Sequence, residues 1–297
     1  MKSSDGKRPR HDVAVELIAV VAAVIDRQPV ALTIRQGSAL PSGPFELGHR
    51  SLQAGLRDWV EQQTGHPLGY IEQLYTFADR DRMVDDQARR AISISYLGLT
   101  RDDGAEHPPK RDWRSWYGYF PWEDHRKAPP RVIEETILPR LRNWADDTGA
   151  GAREERWQRV TLSFGLDDRP WNEELILQRY ELLYEAGLVP ETRRNGKAAR
   201  DETIPGLEMV ADHRRILATG IARLRTKIKY RPVVFELMPP VFTLLHLQRA
   251  VEALAGRFTS RISGASSSNR NSSRKPARPP PRPVGGRPSC SVSALPC

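Results

Sequence analysis

The chain has 297 residues, 39% of them hydrophobic, which is enough for about two domains with substantial cores. No apolar run reaches the roughly 18 residues of a membrane span, and two cysteines, Cys290 and Cys297, fit no zinc spacing and predict no structural disulfide, so we expect a cytoplasmic protein. Eight of the 46 basic residues lie in residues 257–297, where no acidic residue occurs, so residues 1–256 carry 38 basic against 37 acidic residues and any DNA-binding face must be local.

The amino-terminal region is predicted to contain a polar flexible arm followed by a strand pair. Residues 1–11 are polar and basic, which is typical of a loose terminus. Residues 13–25 and 30–35 are rich in β-branched side chains and are separated by a short polar connection. This pattern indicates two strands joined by a tight turn, followed by a Pro- and Gly-containing loop over residues 37–48.

A helix is predicted over residues 52–64. Ser51 is a suitable amino-terminal cap, and Gly65 is a suitable left-handed carboxy-terminal stop. Apolar residues recur at helical spacing from Leu52 to Val60, which gives the helix one apolar face. Strands are predicted on its carboxy-terminal side, at residues 70–77 and 91–99.

The middle of the chain is predicted to be an insertion rich in tryptophan, over about residues 100–190. Its aromatic residues are expected to fill a core or a seam, although a base-stacking platform is an alternative. Helices are predicted at residues 130–146 and 171–186, and residues 191–206, which are polar and contain glycine and proline, are the predicted linker.

The pattern becomes helical again over residues 207–256. One amphipathic helix is predicted at residues 212–228 and is broken at Pro232, and Thr243 caps a second helix at residues 244–255, which Gly256 ends. Two such helices are what a winged helix would begin with, and a small all-α packing module fits the same pattern.

The predicted helix at residues 52–64 resembles a Nudix box without its acids. When the last glycine of the box is aligned with Gly65, Pro44 and Arg50 fall at its first glycine and first glutamate. The remaining acidic positions of the box hold other residues: Asp58 and Trp59 replace its Arg-Glu pair, and Gln62 and Gln63 replace its Glu-Glu pair.

These replacements bear on catalysis because Mg²⁺ requires charged oxygen ligands, and in a Nudix enzyme it acts as Lewis acid and template for hydrolysis. We therefore expect no hydrolase activity. The alternative is a Nudix pyrophosphohydrolase that acts on a nucleoside diphosphate derivative through unconventional acids, with Glu46, Asp58, Glu61 and Glu72 as candidates.

Longer motifs resemble the Nudix-related transcriptional regulators of NAD metabolism, and the tryptophan-rich insertion resembles the NadQ type more than the shorter NrtR type. The resemblance covers about residues 10–256 and is carried by residues 69–82, 91–96, 212–217, 224–239 and 242–244. It implies an α/β Nudix-like sandwich over residues 12–190, followed by a mainly α winged-helix domain over residues 207–256.

The resemblance also implies a repressor that senses ADP-ribose, NAD or ATP, requires no cofactor, and binds operator DNA as a homodimer. Arginines are candidate partners for the effector's phosphates because a guanidinium matches such oxygens, and a tyrosine could stack on a base. The effector-binding candidates are Arg35, Arg57, Arg80, Arg82 and Tyr96. The DNA-binding candidates are Lys227, Lys229, Arg231, Thr243 and Arg249.

The chain departs from the family pattern after Gly256, where the recognition helix should follow. The family segment resembles Leu-His-Lys-Gln-Asn-Phe-Arg-Arg-Leu-Val-Glu, and a coding sequence for it, read a single nucleotide out of phase, spells residues 258–268 without a gap. We therefore predict that residues 257–297 are a frameshifted, disordered tail, that the winged helix is truncated and that operator binding is weak. Use of the basic tail as a non-specific RNA or DNA binder is a further alternative.

Overall fold

The computed structural model describes residues 13–78, 90–101, 113–194 and 203–257, and all of them belong to one compact unit. The predicted arm at residues 1–11 and the predicted tail beyond Arg257 lie outside the described residues. No helix in the described part of the chain is both long and apolar enough to cross a membrane.

A mixed sheet forms the centre of the molecule. Its strand order is β4-β5-β1-β2-β6, with β3 paired to β1; β1 and β5 are parallel, and the remaining pairs are antiparallel. The strands are β1 (Val13–Ile25), β2 (Gln28–Leu32), β3 (Ser42–Pro44), β4 (Tyr70–Phe77), β5 (Arg90–Leu99) and β6 (Trp113–Ser115).

Helices surround this sheet and form most of the chain after β6. A short π-helical segment, Ile133–Ile137, leads directly into α3. The helices are α1 (Leu52–Thr64), α2 (Trp116–Tyr119), α3 (Leu138–Asp146), α4 (Ala150–Phe164), α5 (Ile176–Glu185), α6 (Glu191–Arg194), α7 (His213–Tyr230) and α8 (Leu244–Ala255). The predicted α/β class, with a helical region after it, is confirmed.

The two faces of the sheet are covered by different helices because side chains alternate along β1. Leu17, Ala19 and Val21 share one core cluster with Leu56 and Val60 of α1. The intervening residues, Ile18, Val20 and Ala22, share the larger cluster with α5, α7 and α8.

Helix α7 packs directly against the sheet. A Cβ added to Gly220 would lie 2.7 Å from a methyl carbon of Val20, so only glycine permits this approach. The predicted linker is buried at its described ends: Glu191 is 2% exposed, and the amide of Ile204 donates to the Leu188 carbonyl at 2.8 Å. Within residues 203–257 the structure shows no strand, and the predicted recognition helix would lie beyond them.

Candidate functional site

The helix that carries the degenerate Nudix box begins and ends where the sequence predicts. The Ser51 hydroxyl accepts a hydrogen bond from the amide of Ala54 at 3.1 Å, and Gly65 ends α1 with a φ of 70°. Leu56 and Val60 are fully buried and hold the helix on the sheet. The side chains on the exposed face of α1 therefore have fixed positions relative to the sheet.

Trp59 occupies the position of the glutamate in the Arg-Glu pair of a Nudix box. Its indole nitrogen donates a hydrogen bond to the Pro44 carbonyl at 2.9 Å, and its ring packs so closely on Gly43 that a Cβ there would lie 2.4 Å away. The ring also meets that of His49 edge-on, with 6.3 Å between centroids. A bulky apolar group thus fills the place that a metal-binding carboxylate would need.

Gln63 replaces the second acid of the Glu-Glu pair and has a structural role. Its amide nitrogen donates to the Ser42 carbonyl at 2.8 Å, and its amide oxygen accepts from the Ser42 amide at 3.1 Å. A carboxylate could accept but could not donate at neutral pH, so this two-way bond to β3 requires an amide. Gln62, beside it, is exposed.

The acids considered for unconventional hydrolysis do not form a cluster. Glu46, Asp58 and Glu61 are exposed, whereas Glu72 on β4 is bonded to Lys227 and accepts from the Tyr70 hydroxyl at 2.6 Å. Burial alone would raise the pKa of Glu72, but the bonds from Lys227 and Tyr70 outweigh it and lower that pKa. Among the described residues, no three His, Cys, Asp or Glu side chains lie close enough together to hold a metal ion.

The predicted effector-binding residues have separate environments. Arg57 donates to the carbonyls of Leu68 and Gly69, the latter at 2.9 Å, and so fixes the loop before β4. Arg35 is exposed just after β2 and has a φ of 52°. No hydrogen bond or ring contact joins Arg35, Arg57 and Tyr96 in the described structure.

Tyr96 lies in the core between the sheet and α1 and is 2% exposed. Burial raises the pKa of its hydroxyl. A base could stack on this ring only if the core were repacked. Two further predicted effector-binding residues, Arg80 and Arg82, lie outside the described residues.

Two lysines predicted to contact DNA are engaged within the protein. Lys227 is 8% exposed and forms an ion pair with Glu72. Lys229 forms ion pairs with Glu173 at 2.9 Å and with Glu174 at 2.5 Å. These pairs tie α7 to the sheet and to the segment before α5, so both ammonium groups already have anionic partners.

The other predicted DNA-binding residues lie around α8. The Thr243 hydroxyl caps this helix by accepting from the His246 amide at 3.2 Å, as the sequence predicts. Arg231 is exposed at the end of α7, and Arg249 is half-buried on α8. Neither arginine side chain forms an ion pair with the residues that the structure describes.

Sequence reasoning missed a buried charge cluster between the tryptophan-rich segment and the helices. Glu123 is 1% exposed and receives two hydrogen bonds from Arg179, at 2.6 and 3.0 Å, and one from Arg225 at 2.6 Å. Burial would raise the pKa of Glu123, but the two guanidinium groups outweigh it and lower that pKa. Because the three residues come from distant parts of the chain, no local pattern indicated the cluster.

The carboxy-terminal end of α8 is anchored beside this cluster. Arg225 donates to the Leu254 carbonyl at 2.9 Å, the Tyr117 hydroxyl donates to the Ala253 carbonyl at 2.7 Å, and the His125 amide donates to the Gly256 carbonyl at 2.7 Å. The predicted role of the aromatic segment as core filling agrees with this arrangement, since Trp116, Tyr119, Phe120 and Trp122 are all at most 1% exposed.

Comparison with known proteins returns a transcriptional repressor over a short stretch, and solved structures of both a regulator and a nudix family protein. No family model matches the chain. A stretch of 50 residues is 40% identical to the "ADPR responsive transcriptional repressor NtrR" of Acinetobacter baylyi; it makes up 17% of this chain and 20% of that protein. The chain thus matches one fifth of the length of this curated relative.

Solved structures with a similar course of the chain include NrtR of Shewanella oneidensis, at 16% identity and a TM-score of 0.47, with 84% of this chain and 81% of that chain covered. The same protein complexed with a 27mer DNA gives 17% identity, a TM-score of 0.44, and coverage of 84% and 79%. A MutT/nudix family protein from Enterococcus faecalis is similar as well, at 14% identity and a TM-score of 0.43, with 82% of this chain and 74% of that chain covered.

Proposed function

We propose that this protein is a ligand-responsive transcriptional repressor of NAD metabolism whose Nudix-like domain binds a nucleotide without cleaving it. The proposal rests on the hydrogen bonds made by the residues that replace two acids of the box on α1. Trp59 bonds to Pro44, and Gln63 bonds to Ser42, so these two acid positions stabilise the box loop instead of holding a metal. The scaffold of the box is retained, and its ligands for Mg²⁺ are replaced.

The effector is proposed to be ADP-ribose or a related nucleotide such as NAD or ATP. The matched relative from Acinetobacter baylyi is described as responsive to ADPR, which motivates this choice. Among the described arginines that the sequence predicted as phosphate partners, Arg35 is the best candidate because its side chain is exposed. Arg57 instead donates to two backbone carbonyls. No cofactor is required by this function.

DNA binding is proposed to be weak and dominated by phosphate contacts. The helix that would read base edges is predicted to be replaced after Gly256, and Lys227 and Lys229 are neutralised by acids. Arg231, which is exposed, remains to contact phosphates. Such contacts are non-specific, and their affinity falls steeply with salt concentration. A homodimer is the proposed assembly, as in the family that the sequence resembles.

The decisive experiment measures nucleotide binding and hydrolysis on the same preparation. ADP-ribose, NAD and ATP are each added in a thermal-shift titration, and a ligand at about 100 times its Kd should stabilise the fold by about 2.7 kcal/mol. The same ADP-ribose sample, with Mg²⁺, is then assayed for release of AMP. We expect stabilisation by at least one nucleotide and no AMP.

Two results would contradict the proposal. Mg²⁺-dependent AMP release that disappears in Glu61→Gln would make the protein a hydrolase. The absence of a shift with all three nucleotides would remove the sensing function. Operator binding is tested separately by mobility shift at physiological salt, where a specific complex at nanomolar protein would contradict the predicted loss of the recognition helix.

A further inference from the structure

A groove lies between the turn that joins β1 to β2 and the outer side of α8. It consists of two adjoining cavities of about 240 and 340 Å³, and Arg27 and Arg249 line both of them. One cavity is bounded by Val24 and the segment Leu237 to Pro239, and the other extends towards Lys127. The two arginines therefore stand at the junction of an apolar chamber and a polar chamber.

The turn that presents Arg27 has an unfavourable backbone for its sequence. Ile25 pairs with Gln28, which leaves Asp26 and Arg27 as a two-residue turn with φ angles of 49° and 61°. Turns with both φ angles positive favour Asn-Gly or Asp-Gly, since glycine adopts this conformation without steric cost. The turn keeps the Asp but places an arginine where glycine would be preferred, and such strain is characteristic of functional positions.

The charges in the groove leave unpaired cations. Arg126 is neutralised by Asp124, with N–O distances of 2.7 and 2.8 Å, and it also donates to the Arg27 carbonyl at 2.9 Å, which holds the turn in place. Glu252 accepts from Gln248 at 2.9 Å.

The remaining cations of the groove, Arg27, Lys127 and Arg249, form no ion pair with the described residues. Asp26 and Glu252 keep their negative charges and reduce the positive potential, but the groove still has four cationic side chains, Arg27, Arg126, Lys127 and Arg249, against three acids, Asp26, Asp124 and Glu252. The junction of the two cavities therefore favours an anion.

The apolar chamber suits a flat ring. Leu237 and Met238 are 3% and 4% exposed, and together with Val24 and Pro239 they form a wall that a ring could contact. Small-molecule sites combine such walls with a few convergent polar groups, and they have volumes of the order that these cavities provide.

We propose that this groove binds a phosphorylated small molecule of nucleotide size. Its phosphate would lie between Arg27 and Arg249, and its ring would rest on Leu237 and Met238. The groove opens on the sheet face that Val24 shares with Ile18 and Val20, whereas α1 covers the opposite face. The site is thus separate from the degenerate box, and it does not depend on the regulatory function.

A small molecule fits the groove better than a nucleic-acid backbone does. The arginines converge on a concavity with an apolar wall, and a DNA phosphate contact needs no such wall. If the arginines contacted DNA instead, substituting them would leave the affinity for free nucleotides unchanged. This difference distinguishes a small-molecule site from a DNA contact.

The test uses isothermal titration of the full chain with ADP, inorganic pyrophosphate and adenosine, in parallel with a 30-base-pair DNA duplex of arbitrary sequence (about the size of an operator). The variants are Arg27→Gly and Arg249→Gln, and the matched control is Arg169→Gln, an exposed arginine outside the groove. Arg27→Gly should not impair folding because glycine suits the turn.

We expect ADP to bind more tightly than pyrophosphate and adenosine, and each groove variant to weaken ADP about tenfold, the usual effect of losing one charge-assisted hydrogen bond. Arg169→Gln should bind ADP like the parent. The proposal fails if ADP and pyrophosphate do not bind, if ADP binding survives both groove variants, or if these variants affect the duplex alone. If the parent protein binds ADP, and the groove variants weaken that binding, but it does not bind ADP-ribose, the groove proposal stands and the proposed function fails.

Discussion

The indole nitrogen of Trp59 lies 2.9 Å from the Pro44 carbonyl oxygen, and these two residues occupy the second acid position and the first glycine position of the aligned Nudix box. In a catalytic Nudix box, the acid position that Trp59 occupies here supplies a negative charge. Here the same two positions form a neutral hydrogen bond that fixes the loop before α1. The geometry of the loop is therefore maintained by this bond and by the packing of Trp59 on Gly43.

Replacing Trp59 should test this structural role. Trp59→Ala is expected to lower the free energy of unfolding by about 2–3 kcal/mol, less than for a fully buried tryptophan because the ring is only half-buried. Trp59→Phe keeps most of the packing and should cost about 1 kcal/mol through the lost hydrogen bond. Urea denaturation followed by circular dichroism measures both, and a Trp59→Phe variant as stable as the parent would rule out a contribution of the Pro44 bond.

Removing the negative charge of the buried cluster should be far more costly. Glu123→Gln leaves Arg179 and Arg225 buried without a counter-charge, and the expected loss is about 3–5 kcal/mol. Glu185→Gln is the matched control, because its ion pair with Arg159 is exposed and should contribute at most about 1 kcal/mol. A similar loss in both variants, measured by thermal and urea unfolding, would show that the buried cluster has no special role.

The same cluster predicts how stability depends on pH. The pKa of Glu123 is lower in the folded protein than its usual 4.5, because the two arginines outweigh the effect of burial. A group with a lowered folded pKa stabilises the fold above its unfolded pKa, and this stabilisation is lost as pH falls through the folded value. Glu72 and Asp124 shift in the same direction.

We therefore expect the melting temperature to fall as pH decreases below about 4.5, with little change between pH 6 and pH 8 from these groups. Glu123→Gln should flatten the acid limb of the curve, measured by calorimetry in buffers of matched ionic strength. An unchanged acid limb in this variant would mean that other carboxylates govern acid unfolding.

The environment of Lys227 predicts that its substitution affects stability and not DNA binding. Its ammonium group is paired with Glu72, and Lys227→Met would leave that carboxylate without its main partner, at a cost of about 2 kcal/mol. Arg231→Gln should leave stability within about 0.5 kcal/mol, since the side chain is exposed. Unfolding measurements are combined with duplex binding at several salt concentrations. A weaker salt dependence for Lys227→Met would restore Lys227 as a phosphate contact.

The strained turn at Arg27 predicts a stabilising substitution. Arg27→Gly should raise the free energy of unfolding by about 1 kcal/mol, since glycine adopts a φ near 61° without the steric cost that a side chain incurs. Gly65→Ala is the reciprocal control at a φ of 70° and should destabilise by a similar amount. A destabilised Arg27→Gly protein would show that the arginine side chain contributes to the fold itself.

Local sequence patterns were sufficient to predict several elements to within a residue. The residue bounds of α1 and α8 were predicted from Ser51 and Thr243 as caps and from two glycines as left-handed stops, and both cap bonds are present. Strands were also predicted at residues 70–77 and 91–99, the second from its alternation of apolar and polar residues, and they correspond to β4 and β5. Such signals are local, because a capping bond or an alternating face involves residues within a few positions of one another.

Other elements were missed where their signal is weak or not local. α4 was not predicted because its first turns are charged and partly glycine, and its buried apolar residues, Val160 and Phe164, come late in the helix. β2 was expected at residues 30–35 but ends at Leu32, where the chain enters a short turn with positive φ angles at Arg35 and Gln36.

The sequence by itself determined the main strands, the capped helices and the loss of the metal-binding acids, because these depend on residue type and short-range spacing. The tertiary structure decided which charges are free. It pairs Lys227 with Glu72, commits Arg57 to backbone carbonyls, and places Arg27 and Arg249 around one groove without an ion pair to any residue that the structure describes. Pairing of charges depends on distances across the fold between residues far apart in the chain, and no pattern along the sequence contains that information.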